Sequence, residues 1–114
     1  MYQLVFYVPE SHLSEVKEAL FRTGAGRYRN YDCCSFQVKG EGQFRPTEGS
    51  APFLGSVGQI EAVAEYRVEM VCDGRVVADT VAELIRVHPY EEPAYAVYPI
   101  LTADDLDSLG SGHR

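Results

Sequence analysis

A strand, a helix and a strand recur in the same order in the two halves of this chain, and that repeat limits the fold more than any other feature. Residues 2–8, YQLVFYV, are rich in β-branched and aromatic side chains and read as a buried strand. Pro9 suits the first turn of a following helix, where its missing N–H costs nothing. Leu13, Val16, Ala19 and Leu20 recur at helical spacing, with Glu10, Glu15, Lys17 and Glu18 on the other side. Gly24 is placed to end that helix in the left-handed conformation. Residues 31–39, YDCCSFQVK, alternate as a second strand, with Asp32, Cys34, Phe36 and Val38 on one face. The second half opens on residues 62–72, AVAEYRVEMVC, a third strand with Tyr66, Val68, Met70 and Cys72 on one face and Glu65, Arg67, Glu69 and Val71 on the other. Val77, Val81, Leu84, Ile85 and His88 trace a helical stripe that Pro89 ends, and residues 94–100, AYAVYPI, form the fourth strand. One constant offset carries Leu4, Phe6 and Val8 onto Val68, Met70 and Cys72, and Leu13 and Leu20 onto Val77 and Leu84.

Two such halves predict an α+β, ferredoxin-like βαββαβ sandwich over residues 1–101, a four-stranded antiparallel sheet with two helices on one face. The tail, 102–114, starts one helical turn at Thr102–Leu106 and then frays. With both helices on one side, the other face of the sheet is bare. The pattern predicts aromatic and apolar side chains there, and therefore a homo-oligomer in which sheets pack on sheets. Residues 40–60 break the regular pattern with five glycines, Gly40, Gly42, Gly49, Gly55 and Gly58, and with Pro46 and Pro52. A loop of that length in a compact domain is usually functional or disordered. Phe44, Phe53 and Leu54 need somewhere to pack and argue against full disorder.

The 114 residues suit one domain. A formal charge of −7 disfavours nucleic acid as a partner, because phosphate binding rests on a positive patch. No apolar run approaches the roughly 18 residues needed to cross a bilayer, and Met1–Leu4 lacks the charged start of a secretion signal. Cys33, Cys34 and Cys72 are odd in number, which argues against a disulfide framework and for a reducing cytoplasm.

Three stretches, LVFYVPESHLSEVKEALFRTGAGR, NYDCCSFQVKGEGQFRPTEGSAPFLG and HPYEEPAYAVYPI, together resemble the YqfO-type, or NIF-three-like, proteins over about residues 2–100. The paired motifs G-x-G-x-F-R-P at Gly40–Pro46 and H-P-Y-E-E-P-A at His88–Ala94 carry the resemblance. In the large members this module is inserted into a dinuclear-metal hydrolase-like body, and the module is similar to the trimeric CutA and PII signalling proteins. The resemblance implies a CutA/PII-like trimer, with loop 40–60 in the place of a long loop that helps hold a ligand between subunits. The metal-binding residues of the larger members lie in the flanking body, so the two-metal activity is not carried over.

His88, Glu91 and Glu92 offer imidazole and carboxylate to a divalent ion such as zinc or manganese. Three or four ligands must converge, and in a trimer His12 or Glu48 of a neighbour could complete the set. His113 stands alone. The other reading places His88 at a helix C-terminus, with Pro89 and Pro93 fixing a turn and the glutamates solvated. Gly40, Gly42, Phe44 and Arg45 are ligand-binding candidates, because glycines let backbone N–H groups approach an anion and Arg45 offers a fork to phosphate or carboxylate. The other reading makes this stretch a hairpin loop whose Phe44 plugs a subunit contact. Cys33 and Cys34, read as mid-strand, are expected to be inert, and Tyr90, Tyr95 and Tyr98 to be packing residues. Ser11-His12 lacks an orienting acid, so no catalytic residue is assigned. These readings converge on a non-enzymatic, cytoplasmic, trimeric module that binds a small anionic ligand or a divalent metal at subunit interfaces. A regulatory partner or remnant of a metal-dependent hydrolase, and a purely structural oligomerisation module, are the alternatives.

Overall fold

The computed structural model describes residues 1–111. The first strand, β1 (Tyr2–Pro9), runs through a single 3₁₀ turn at Glu10–His12 into helix α1 (Leu13–Arg22). A long connection leads to β2 (Phe36–Phe44), and loop 45–60 leads to β3 (Glu61–Cys72). Helix α2 (Val77–Val87), strand β4 (Tyr95–Pro99) and helix α3 (Ala103–Ser111) follow. The four strands form one sheet in the order β2-β3-β1-β4, with every pairing antiparallel. This is the expected ferredoxin-like sandwich with one further helix.

Register explains the core. Leu4 stands opposite Met70, Phe6 opposite Val68 and Tyr2 opposite Cys72. The face they share is covered by Val16 and Leu20 of α1 and Leu84 of α2, and all of these residues except the half-buried Tyr2 are buried. The helices also meet through hydroxyls, with Thr23 Oγ1 and the buried Thr80 Oγ1 2.6 Å apart. No helix among the described residues is long and apolar enough to cross a membrane.

Three expectations need correction. First, β2 spans Phe36–Phe44 rather than 31–39, so Gly40, Gly42 and Phe44 lie in a strand. Nine consecutive pairings with Glu61–Glu69 outweigh the poor strand preference of two glycines. Residues 32–35, by contrast, are irregular, and Cys33 has a positive φ of 53°. Cys33 is exposed and Cys34 half-buried, so neither is a mid-strand residue. Second, nine residues of the tail, Ala103–Ser111, are helical rather than a single turn.

Third, the uncovered face of the sheet is not uniformly apolar. Alternation brings Gln3, Glu65, Arg67 and Glu69 onto its centre. Arg67 Nε lies 3.2 Å from Glu69, and Gln3 Nε2 donates to the same carboxylate at 3.1 Å. Val5, Tyr7 and Val71 share that centre, and further apolar and aromatic side chains stand at the two edges, with Phe36 and Val38 on β2 and Tyr98 on β4. Sheet-on-sheet stacking is therefore not forced by an oily surface.

The pairing has one more result. Glu61–Ala64 pairs with β2 but runs past the end of β1. Beyond Pro9 the sheet narrows to a two-stranded ribbon, and this ribbon forms one wall of the site.

Candidate functional site

The ribbon ends at Phe44, and the chain leaves it through Arg45 and the buried Pro46. Loop 45–60 is closed at its base by Gly58 N–H donating to the carbonyl of Pro46 at 2.7 Å. Within it, Ser50 donates to the Thr47 carbonyl through both N–H (3.1 Å) and Oγ (2.7 Å). The loop is thus an ordered turn sequence standing over the end of the sheet.

The opposite wall is the segment after α2. Pro89 cannot continue a helix, and the residue before it is pushed to extended backbone, as His88 is at φ −70°, ψ 139°. His88 still closes the helix, its N–H donating to Leu84 O at 2.9 Å. Its ring is fully engaged. Nδ1 accepts the N–H of Tyr90 at 3.1 Å, so Nε2 carries the proton and donates to the carbonyl of Tyr7 at 2.6 Å. His88 is 6% exposed and pins the end of α2 to β1.

That pin places Tyr90. Its ring centroid lies 4.8 Å from His88, 6.2 Å from Phe44 and 6.3 Å from Phe53. Its hydroxyl donates to Glu65 Oε2 at 3.3 Å. Burial, then the Glu65 charge and that hydrogen bond, push the Tyr90 hydroxyl up to about 12. Burial also raises the Glu65 carboxyl above its ordinary value, with the Tyr90 hydrogen bond acting the other way. One residue further on, Glu91 Oε1 accepts the N–H of Ala51 at 3.0 Å and straps the loop to this segment.

The result is a cleft of about 360 Å³ between the ribbon, loop 45–60 and the segment after α2. Its walls include Tyr7, Phe44, Arg45, Phe53, Glu65, Tyr90, Glu91 and Glu92. The two sequence motifs, far apart along the chain, therefore meet at one place. Phe44 and Arg45 line the cleft. Gly42 lies directly against the Glu65 carboxyl, where a Cβ would overlap it. Gly40 lines a neighbouring trough of about 340 Å³ that shares Tyr7 and Glu65 with the cleft. The glycines do not form an anion-binding loop, because they are in the strand.

Of the expected metal ligands, Glu91 and Glu92 face the cleft, but His88 is spent on Tyr7 and Tyr90 and stands behind the Tyr90 ring. Among the described residues no three His, Cys, Asp or Glu side chains are grouped to hold a metal ion. His12 is occupied elsewhere, with Nδ1 2.8 Å from Ser11 Oγ and its ring edge-on to Phe53 at 5.7 Å. His113 lies outside the described residues. The charge of the lining also matters: Arg45 is the one cation against Glu65, Glu91 and Glu92. Sequence reasoning missed Glu65 and Phe53 and took Tyr90 for packing alone. The register sets Glu65 opposite Gly40, and it is Gly42, two residues further along the same face, whose bare backbone makes room for its carboxylate. Away from the cleft, burial pushes the Cys72 thiol up to about 11, which leaves it unreactive at neutral pH.

Tyr90→Phe keeps the ring and removes the hydroxyl donor. The expected cost is about 1 kcal/mol, with a further rise of the Glu65 carboxyl, read by carbon-13 NMR of the side chain.

His88 makes a pH signature. Burial lowers its folded-state pKa below the ordinary value, with the Tyr7 carbonyl opposing and His12 adding to the effect. The unfolded chain then binds the proton more readily. The stability His88 contributes is present above the unfolded pKa of about 6.5 and is lost as pH falls toward its folded value. Glu65, shifted upward, has the opposite sign, destabilising as pH rises above its unfolded value. Acidifying from about pH 7.5 to about pH 5.5 is therefore expected to lower the urea midpoint through His88. The drop should be smaller in His88→Gln, and an equal drop in the variant and the parent protein would contradict the assignment.

No family model matches the chain. A GTP cyclohydrolase 1 type 2 homolog of Halalkalibacterium halodurans is 45% identical over 112 residues, which is 98% of this chain and 30% of that protein. The Bacillus subtilis protein of the same name is 41% identical over 95% of this chain and 29% of its own length. The chain thus spans less than a third of these curated relatives. A Bacillus cereus protein related to NIF3 superposes with a TM-score of 0.76 at 38% identity, over 89% of this chain and 26% of that one. The periplasmic divalent cation tolerance protein CutA of Archaeoglobus fulgidus superposes over 100% of both chains with a TM-score of 0.65. At 17% identity that likeness speaks to the fold alone. Over nearly its whole length the chain is similar to one segment of these longer, NIF3-related proteins, and its fold is CutA-like.

Proposed function

We propose that the chain is a non-enzymatic ligand-binding module that assembles into a homo-oligomer, a trimer by likeness to CutA and PII proteins, with the cleft beneath loop 45–60 as its working part. One observation carries this reading: the Gly40–Pro46 and His88–Ala94 motifs close on a single cleft of about 360 Å³. That volume suits a small molecule, and Phe44, Phe53 and Tyr90 offer apolar walls to a flat one. Two of the cleft's titratable groups help to hold it together, Glu65 through Oε2 on Tyr90 and Glu91 through Oε1 on Ala51. That arrangement suits binding better than proton transfer. For the oligomer, β2 and β4 are the edge strands of the sheet among the described residues, and Phe36, Val38, Tyr98, Leu101, Leu106 and Leu109 are exposed.

Native mass spectrometry with elemental analysis tests both parts. The expected result is a three-chain assembly that retains, or takes up on addition, a small organic molecule at the cleft. A single chain at micromolar concentration would remove the oligomer. A second reading, regulation of a metal-dependent hydrolase, is favoured by the names of the relatives and by the share of their length that this chain represents. GTP turnover by a full-length relative, with and without this chain added, tests it. An unchanged rate would set it aside.

A further inference from the structure

We infer that Glu65 selects what the cleft takes: a flat ring bearing a cationic or paired N–H donor head, such as an amidine or an amino-substituted nitrogen heterocycle, in preference to a carboxylate or phosphate. The inference rests on the cleft reading above and adds the chemistry of the ligand.

Glu65 rises from β3 between the cleft and the neighbouring trough and lines both. Its position is built by the strand beside it. A glycine inside a strand weakens the strand, since it packs nothing and loses more backbone freedom on folding. At position 42 the missing side chain has a use, because any Cβ there would overlap the Glu65 carboxyl. On the other side the Tyr90 hydroxyl holds Oε2. The carboxylate is thus seated from two directions, and Oε1 takes no hydrogen bond from the described residues.

The remaining cleft groups divide the work. Glu91, engaged by the Ala51 N–H through Oε1, and Glu92 are both exposed, so Glu65 is the half-buried carboxylate of the cleft, with Oε1 still to offer. Phe44, Phe53 and Tyr90 stand around it and would face a planar cation with their electron-rich surfaces. An amidine or amino-heterocycle N–H would donate to Oε1 in a charge-assisted hydrogen bond. An anion in the same place would meet three carboxylates and gain Arg45 alone, itself exposed at the rim.

The test is a nitrogen-15 NMR titration of the full chain with three probes of one shape: benzamidine, benzamide and benzoate. Benzamidine is expected to shift the amides of Gly42, Phe44, Glu65 and Tyr90 and to bind at least about tenfold more tightly than benzoate, with benzamide between them. Glu65→Gln, which preserves shape, should erase the preference. Gly42→Ala, which displaces the carboxyl, should do the same. Benzoate binding as well as benzamidine, or a preference that survives in Glu65→Gln, would overturn the inference while shifts at Phe44 and Tyr90 left the cleft reading standing. No shift at the cleft from any of the three at about 10 mM, where even a weak fragment-sized ligand registers, would overturn the cleft reading and the inference with it.

Discussion

Replacing Phe6 by alanine is expected to lower the free energy of unfolding by about 3–5 kcal/mol, a large part of the 5–15 kcal/mol on the order of which small domains are stable. Phe6 lies on a central strand, opposite Val68 on one side and Tyr95 on the other. It has no exposed surface and is the largest of the fully buried side chains. Its removal takes away transfer free energy and leaves a cavity that the sheet and the helices cannot both collapse to fill. Urea unfolding should show a lower midpoint with an unchanged slope. Phe36→Ala is the contrast. That ring is 66% exposed at the edge of the sheet, and its loss should cost a single chain no more than about 0.5 kcal/mol. If the β2 edge is buried between copies, the Phe36 effect grows with protein concentration, whereas the Phe6 effect does not. A Phe36 cost equal to the Phe6 cost in dilute, single-chain conditions would mean that the core is misplaced.

Gly26→Ala is expected to cost about 2–4 kcal/mol, from left-handed strain of about 1–2 and overpacking of about 1–3 that partly relaxes. Gly26 has a φ of 78°, and a Cβ there would lie 2.8 Å from Phe21 Cε1 and 3.0 Å from the carbonyl oxygen of Cys34. Neither neighbour moves freely. Gly26 itself ties the connection after α1 to the sheet, its N–H donating to Val71 O at 2.7 Å and its carbonyl accepting from Cys34 N–H at 2.8 Å. Gly49→Ala isolates the strain, because φ there is 93° while nothing lies within 4 Å. Its cost should stay near 1 kcal/mol. Equal costs at both positions would show that the contact with Phe21 and Cys34 does not matter.

Much of the fold was legible because both its periods are strong. Alternation over residues 62–72 named the buried face Val68, Met70 and Cys72, and the stripes Leu13–Leu20 and Val77–Leu84 named both helices. The second strand was misplaced because Asp32–Ser35 alternate like a strand while Gly40 and Gly42 read as loop. Pairing with β3, invisible locally, decides the matter. The open face illustrates a different failure. Glu65, Arg67 and Glu69 were placed together on one face of their strand, yet the face opposite the helices was expected to be aromatic and apolar without counting them. For the site, both motifs were visible as strings of residues, but their meeting depends on the ribbon, on the His88 pin and on the Ala51–Glu91 strap. A histidine followed closely by two glutamates suggests a metal in the sequence, whereas in the fold both ring nitrogens of His88 are occupied.

The convergence of the two motifs is the claim on which the functional reading depends, and a nuclear Overhauser spectrum of the free protein tests it most directly. The centroid distances of 6.2 Å between Phe44 and Tyr90 and 6.3 Å between Phe53 and Tyr90 call for cross-peaks between those rings. A contact from the Ala51 amide proton to the Glu91 side chain should accompany them. Aromatic cross-peaks from Tyr90 to His88 alone, with averaged random-coil shifts through residues 45–60, would show that no cleft forms and would contradict the account.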